Sequence, residues 1–199
     1  AFRRVPCMLN YTAGTEGMQN ACFTARIRTV VTSREFLRKA NLTDEVERLR
    51  DIRLLYLEDL RGQFKVRDKL WLLAYALWRP LRAVPPGDPE APAVVLFTSG
   101  SEGKPKGVVL SHRALLTNVE QVLATLTFGP ADKVFNCLPI FHSFGLTAGT
   151  LGALVCGARM LLYTSPLHSK VIPELVRDRQ CTVLFATSTF LNQYARNAD

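Results

Sequence analysis

The sequence predicts an α/β protein with a mainly parallel sheet flanked by helices. Short runs rich in β-branched and aromatic residues alternate with helical patterns from Thr29 onward, which is the arrangement of strand–helix–strand units. One helical segment carries both a start signal and a 3.6-residue apolar repeat. The composition, 48% hydrophobic and 21% charged over 199 residues, is that of a folded globular chain and argues against disorder.

Taken in order, strands are expected at 29–33, 53–57, 93–99, 107–110, 158–164 and 182–187. Helical patterns fill the gaps. The clearest begins at Ser111, a good N-cap residue, and repeats Leu115, Val119, Val122, Leu123 and Leu126 along one face before Gly129-Pro130 ends it. That face should pack on the sheet. Residues 85–92 hold Pro85, Pro86, Pro89 and Pro92, too many for a helix or a central strand, and read as an extended connector. It divides the chain into a first lobe, 1–84, and a second, 93–199, which carries the chemical motifs.

No stretch reaches the roughly 18 apolar residues of a membrane span. Cys7, Cys22, Cys137, Cys156 and Cys181 lie in apolar segments without paired spacing, which disfavours zinc and a disulfide framework. The net charge of +8 favours an anionic partner such as a nucleotide, an anionic lipid or an acidic protein. Neither exposed aromatics interleaved with cations nor a recognised module points to nucleic acid. In residues 69–82, Leu70, Trp71, Leu72, Leu73, Leu77 and Trp78 cover most of a helix surface between Lys69, Arg79 and Arg82. Two readings fit: a helix covered by other parts of the protein, or an interfacial helix with Trp anchors and cationic flanks.

The strongest chemical signal lies between the strands 93–99 and 107–110. Thr98, Ser99, Gly100, Ser101, Glu102, Gly103, Lys104, Pro105, Lys106 and Gly107 combine three glycines, three hydroxyls and two lysines. Glycines let backbone N–H groups converge, and the lysines supply charge, so the loop suits a polyphosphate. A Walker A loop would run from Gly-Lys into a helix, but here Pro105 and a strand follow. A second segment, Leu138 to Gly145, starts where Pro139 breaks the run and sets His142 between Phe141 and Phe144. Small residues follow, including Gly145 and Gly149, and a helix rich in them permits close approach by a neighbour or a slender ligand.

Residues 98–107 resemble the phosphate-binding signature of the adenylate-forming (AMP-binding) superfamily of acyl-CoA synthetases, luciferases and peptide-synthetase adenylation domains. The segment around His142 is similar to a second motif of that superfamily, in the same order. The resemblance implies an incomplete large N-terminal domain of an adenylate-forming enzyme. It implies that Thr98, Ser99, Gly100, Ser101, Glu102, Gly103, Lys104, Lys106 and Gly107 hold the phosphates of ATP, with Mg2+. By the same resemblance Phe141, His142, Phe144, Gly145 and Gly149 form an acyl pocket. Glu102 stands where Thr is commoner; it either faces away from the triphosphate or approaches the magnesium ion.

Segments 9–14, 56–60, 165–168 and 181–191 resemble one subgroup, the acyl-ACP synthetase half of bacterial bifunctional 2-acylglycerophosphoethanolamine acyltransferases. This implies a long-chain fatty acid, acyl carrier protein and lysophospholipid or a membrane surface as partners, in the bacterial cytoplasm or at the cytoplasmic face of the inner membrane. The magnesium, ribose and small-domain lysine segments of the superfamily are expected to lie outside these residues. The chain alone is therefore expected to fold without catalysing, to contain no catalytic residue, and to pair with a second copy through an apolar face. An acyl-CoA or aryl-acid ligase and a non-catalytic nucleotide- or lipid-binding module are the alternatives.

Overall fold

The computed structural model describes residues 4–79, 86–98 and 105–198. The chain divides into two compact units, Ala1–Val109 and Leu110–Asp199. Each is an α/β body.

In the first unit, β1 (Cys7–Met8) leads through a single 3-10 turn, Tyr11–Ala13, into α1 (Gly14–Thr24). There follow β2 (Thr29–Thr32), α2 (Arg34–Lys39), α3 (Thr43–Glu47), β3 (Arg53–Tyr56), α4 (Leu57–Gln63) and α5 (Val66–Trp71). From Leu72 to Leu77 the helix continues with π-type winding. β4 (Pro92–Thr98) and β5 (Lys106–Ser111) come next. β2 pairs in parallel with β3, Thr29 opposite Arg53, and β1 pairs in parallel with β4, Cys7 opposite Val95. β5 lies beside β4.

α1 belongs to two cores. Its Met18 packs with Leu37, Leu42, Val46 and Leu49, while Ala21 packs with Val95 and Phe97 of β4. Three residues apart, they lie on one side of the helix and nearly a turn apart along it, so that side reaches both cores. Ser33 caps α2 by accepting from the Phe36 N–H and donates its own hydroxyl to Glu58. Arg34 grips Asp59 with two bonds of 2.7 Å and lies 4.0 Å over the Tyr56 ring, tying α2 to the β3–α4 junction.

The second unit holds α6 (His112–Thr125), β6 (Lys133–Asn136), α7 (Ser143–Leu146), a π-type stretch Thr147–Gly152 and α8 (Ala153–Val155). β7 (Arg159–Leu162), α9 (Val171–Asp178), β8 (Val183–Phe185) and α10 (Ser188–Ala195) complete it. β6 is central and parallel to β7 and β8. Side chains alternate across it. Val134 joins Leu138, Ala148, Ala153 and Phe185, with Val122 of α6, on one face; Phe135 and Cys137 join Ile172 and Tyr194 on the other. Ser111 caps α6 by accepting from the Ala114 N–H, and Val119 on its inner face is fully buried.

The six expected strands are present with shifted ends. β1 and β6 were not expected, and among the described residues the strands group into three small sheets. Pro92 is the first residue of β4, where its missing N–H is tolerated. The two compact units part at Val109–Leu110, and β4 pairs with β1 within the first of them. Of that stretch, residues 86–92 are described, with Asp88 closing a turn on the Glu90 N–H. All five cysteines are free thiols. Among the described residues no helix is long and apolar enough to cross a membrane, and no group of three His, Cys, Asp or Glu could hold a metal ion.

Candidate functional site

β4 delivers Thr98 to the start of the glycine-rich loop, and β5 receives the chain at Lys106 and Gly107. The loop therefore runs from strand to strand, which separates it from the strand-to-helix Walker A arrangement. Ser99, Gly100, Ser101, Glu102, Gly103 and Lys104 lie outside the described residues. Thr98, Lys106 and Gly107 are exposed at its rim. A side chain at Gly107 would meet Val95 and Phe97 at 3.5 Å, an ordinary contact, so space alone does not demand glycine there.

A cavity of about 340 Å3 opens beside this rim. Asn10, Glu16, Gly17 and Asn20 line it from the α1 side, with Thr98 and Pro105 from the loop side. Its size suits a small-molecule site, and its lining brings an amide pair, a carboxylate and a hydroxyl together. Asn10 is held in place because its Oδ1 accepts from the Thr12 N–H at 2.9 Å and the Thr12 hydroxyl at 2.7 Å. Glu16 and Asn20 gave no signal in the sequence beyond ordinary helix polarity. Their shared face, four residues apart on α1, is visible only once β4 is known to lie against that helix.

In the second unit the segment around His142 leaves the end of β6 and turns at once into α7. The turn is built on Asn136, which is 1% exposed. Its Nδ2 donates to the Gly145 carbonyl and the Thr150 hydroxyl, both at 3.1 Å, and its Oδ1 accepts from the Leu138 N–H at 3.1 Å. The Thr150 hydroxyl donates to the same Gly145 carbonyl at 2.8 Å. The π-type winding makes this bond possible, since it brings residue 150 under residue 145.

Two glycines are required by this packing. A Cβ at Gly145 would collide with the Pro139 and Leu138 carbonyls, and one at Gly149 would sit 2.5 Å from the Asn136 amide. Both glycines thus face the protein interior. Phe141 is buried with its ring 4.6 Å from His142, while His142 itself is exposed at the start of α7. Phe144 stands edge-on to Phe185 at 6.0 Å, and both it and Ile140 keep an exposed apolar surface beside His142. Asn136 was missed by sequence reasoning because a lone Asn shortly before Pro139 reads as a turn residue.

The other histidines stay outside this arrangement. His112 is the first residue of α6, and the His168 Nδ1 pairs with the Tyr163 hydroxyl at 2.9 Å. Beneath the β6 turn, burial first and the Cys137 sulfur 3.6 Å away second push the Tyr194 hydroxyl upward, and burial raises the Cys137 thiol. Tyr194 donates to the Pro166 carbonyl at 2.6 Å, so it acts as a neutral structural hydroxyl.

A profile of the family described as AMP-binding enzyme matches residues 3–199. Sulfoacetate–CoA ligase of Cupriavidus necator is 40% identical over 79 residues, which is 40% of this chain and 16% of that protein. Long-chain-fatty-acid–CoA ligase of Escherichia coli O6:H1 is 34% identical over 119 residues, 56% of this chain and 20% of that protein. The fold is similar to o-succinylbenzoate CoA synthetase from Bacillus subtilis in complex with ATP and magnesium, with a TM-score of 0.73 at 18% identity. That likeness covers 98% of this chain and 36% of the solved one. The same enzyme in complex with an acyl-adenylate gives 0.72 and 45%. The chain spans at most a fifth of these two curated relatives and less than half of the solved chain.

Proposed function

The chain belongs to the AMP-binding enzyme family, and from that premise we propose that it holds the triphosphate and the acyl chain in an ATP-dependent ligase for long-chain fatty acids. In the first step a carboxylate oxygen of the fatty acid attacks the α-phosphorus of ATP. The bond to the bridging oxygen breaks, pyrophosphate leaves, and acyl-adenylate remains. The thiol of phosphopantetheine on acyl carrier protein then attacks the acyl carbon, AMP departs, and a thioester forms.

The observation that carries this reading is the sequence 98–107, which joins β4 to β5, beside a cavity whose lining includes Asn10, Glu16, Asn20 and Thr98. Two anions must meet in the first step, so the site has to neutralise phosphate charge before it can align the reactants. Lys104 and Lys106 supply the charge, and the glycine-rich backbone and the hydroxyls of Thr98, Ser99 and Ser101 supply neutral donors. Magnesium bound with ATP would add further charge neutralisation at the phosphate oxygens. The donor set of the loop fits this polyanion.

Ile140, Phe144 and the Phe141–His142 pair would border the alkyl chain, with Asn136, Gly145 and Gly149 fixing the wall behind them. His142 need not take a proton, because a carboxylic acid is already ionised at neutral pH. The fatty-acid substrate is supported by the similarity to the Escherichia coli ligase. Acyl carrier protein as acceptor, reacylation of lysophospholipid and a site in the bacterial cytoplasm or on the inner membrane's cytoplasmic face rest on the subgroup resemblance of 9–14, 56–60, 165–168 and 181–191.

A second reading has CoA as acceptor, favoured because both curated relatives above are CoA ligases. The test uses the full reading frame containing this chain, with palmitate, ATP and magnesium, and offers acyl carrier protein and CoA separately. Acyl-ACP formation is expected. Acyl-CoA without acyl-ACP would establish the second reading, and no pyrophosphate exchange with any fatty acid would defeat both.

A further inference from the structure

α5 and the π-type stretch after it are apolar and unprotected. Leu70, Trp71, Leu72, Leu73, Leu77 and Trp78 all stand exposed, Trp78 at 81% and Leu77 at 67%. Soluble surfaces scatter such residues singly. Here they are nearly continuous, and among the described residues no other element packs extensively on this helix. Both tryptophans of the chain belong to this surface, Trp71 in α5 and Trp78 just past the π-type stretch. Trp71 stacks on Tyr75 at 5.9 Å, so three amphipathic rings share one short segment.

Charge is arranged around this surface in one sign. Lys65, Arg67 and Lys69 are exposed at the amino-terminal end and Arg79 at the other, against Asp68 alone. Asp68 is engaged with the Lys65 N–H and lies 3.7 Å from Arg67, so the excess is positive at both ends. The length decides how such a helix meets lipid. Residues 66–77 rise about 18 Å at 1.5 Å per residue, well short of the ~30 Å hydrocarbon core. The segment can lie along a bilayer and cannot span it.

We infer that residues 65–79 are a docking surface for an anionic phospholipid bilayer, with the leucines and tryptophans entering the interface and the flanking cations meeting lipid phosphates. This assigns a surface to the membrane location proposed above, and it rests on the exposure and charge of these residues, not on the ligase reading. The charge pattern selects lipid over a second copy, since pairing two such helices would bring like charges together at their ends.

Because both tryptophans sit on the surface in question, their emission reports its environment directly. With vesicles of phosphatidylglycerol and phosphatidylcholine in equal parts, the chain should cosediment and its emission should shift to the blue. Pure phosphatidylcholine should have much less effect, and high salt should reverse the binding. Arg67→Gln, Lys69→Gln and Arg79→Gln together keep both tryptophans and should weaken partitioning on the order of a hundredfold. Cosedimentation of the full reading frame should fall in the same variant. Emission unmoved by anionic vesicles would overturn the proposal. So would tryptophans already shielded from a soluble quencher in the vesicle-free monomer, or shielded by concentration-dependent dimerisation without vesicle binding.

Discussion

Gly149→Ala and Asn136→Ala should each destabilise the second unit, and together they should cost less than their sum. A methyl at residue 149 would lie 2.5 Å from Cγ, Nδ2 and Oδ1 of Asn136, roughly 1 Å closer than carbon contacts allow. The Asn136 side chain is short and buried, so it can yield only by breaking its bonds to Gly145, Thr150 and Leu138. Gly145 keeps the Thr150 hydroxyl, but the Leu138 N–H loses its Asn136 acceptor, a loss of about 1–3 kcal/mol. Adding overpacking, Gly149→Ala should cost about 2–4 kcal/mol. Asn136→Ala should cost a similar amount through the same unpaired N–H and the space left behind.

In the double variant the new methyl enters the space that the amide vacated. The N–H is lost once rather than twice. A coupling of about 1–2 kcal/mol is therefore expected, read from urea midpoints at an unchanged slope. Circular dichroism at the helix band is the right probe, because both tryptophans lie in the first unit. Costs that add within about 0.5 kcal/mol would refute the idea that Gly149 exists to admit Asn136.

Glu58 is held down to about 2 by its own backbone N–H and then by the Ser33 hydroxyl. Its contribution is present above the ordinary glutamate value of about 4.3 and is lost as pH falls through about 2. Acid titration of urea midpoints should thus show a loss in that window, smaller in Glu58→Gln. Ser111→Ala removes the acceptor for the Ala114 N–H and should cost about 1 kcal/mol in the same measurement. A midpoint unchanged by Ser111→Ala would mean that the α6 start is set by packing of Val119 alone.

Much of the fold was legible because its signals are local. Ser111, the period through Leu126 and the turn at Gly129-Pro130 defined α6 within two residues of its observed ends. β6 escaped because it is short, begins with Lys133 and ends with Asn136, so its alternation has little room to show. β1 is two residues long and exists by pairing with β4, far along the chain, which no local pattern encodes. The proline-rich stretch stands out by composition alone, while the pairing of β1 with β4 across it has no local signal.

The candidate site divides the same way. Glycine, hydroxyl and lysine density marked 98–107, and small residues after His142 marked the second segment. What the small residues are for was not legible: Gly145 and Gly149 accommodate Pro139 and Asn136 from the chain itself. Glu16, Asn20 and Asn136 acquire their place only through tertiary contact. The apolar character of residues 69–82 was plain, and the structure adds that the helix begins at Val66 and that Leu70, Trp71, Leu72, Leu73, Leu77 and Trp78 are exposed; Arg82 lies outside the described residues.

The most direct measurement is fatty-acid-dependent exchange of pyrophosphate into ATP by the full reading frame, compared between wild type and Lys104→Ala, Lys106→Ala. Loss of both loop cations should lower exchange by at least on the order of a hundredfold, while the urea midpoint moves little because Lys106 is exposed. Exchange at the wild-type rate in a folded double variant would contradict the assignment of residues 98–107 to the triphosphate.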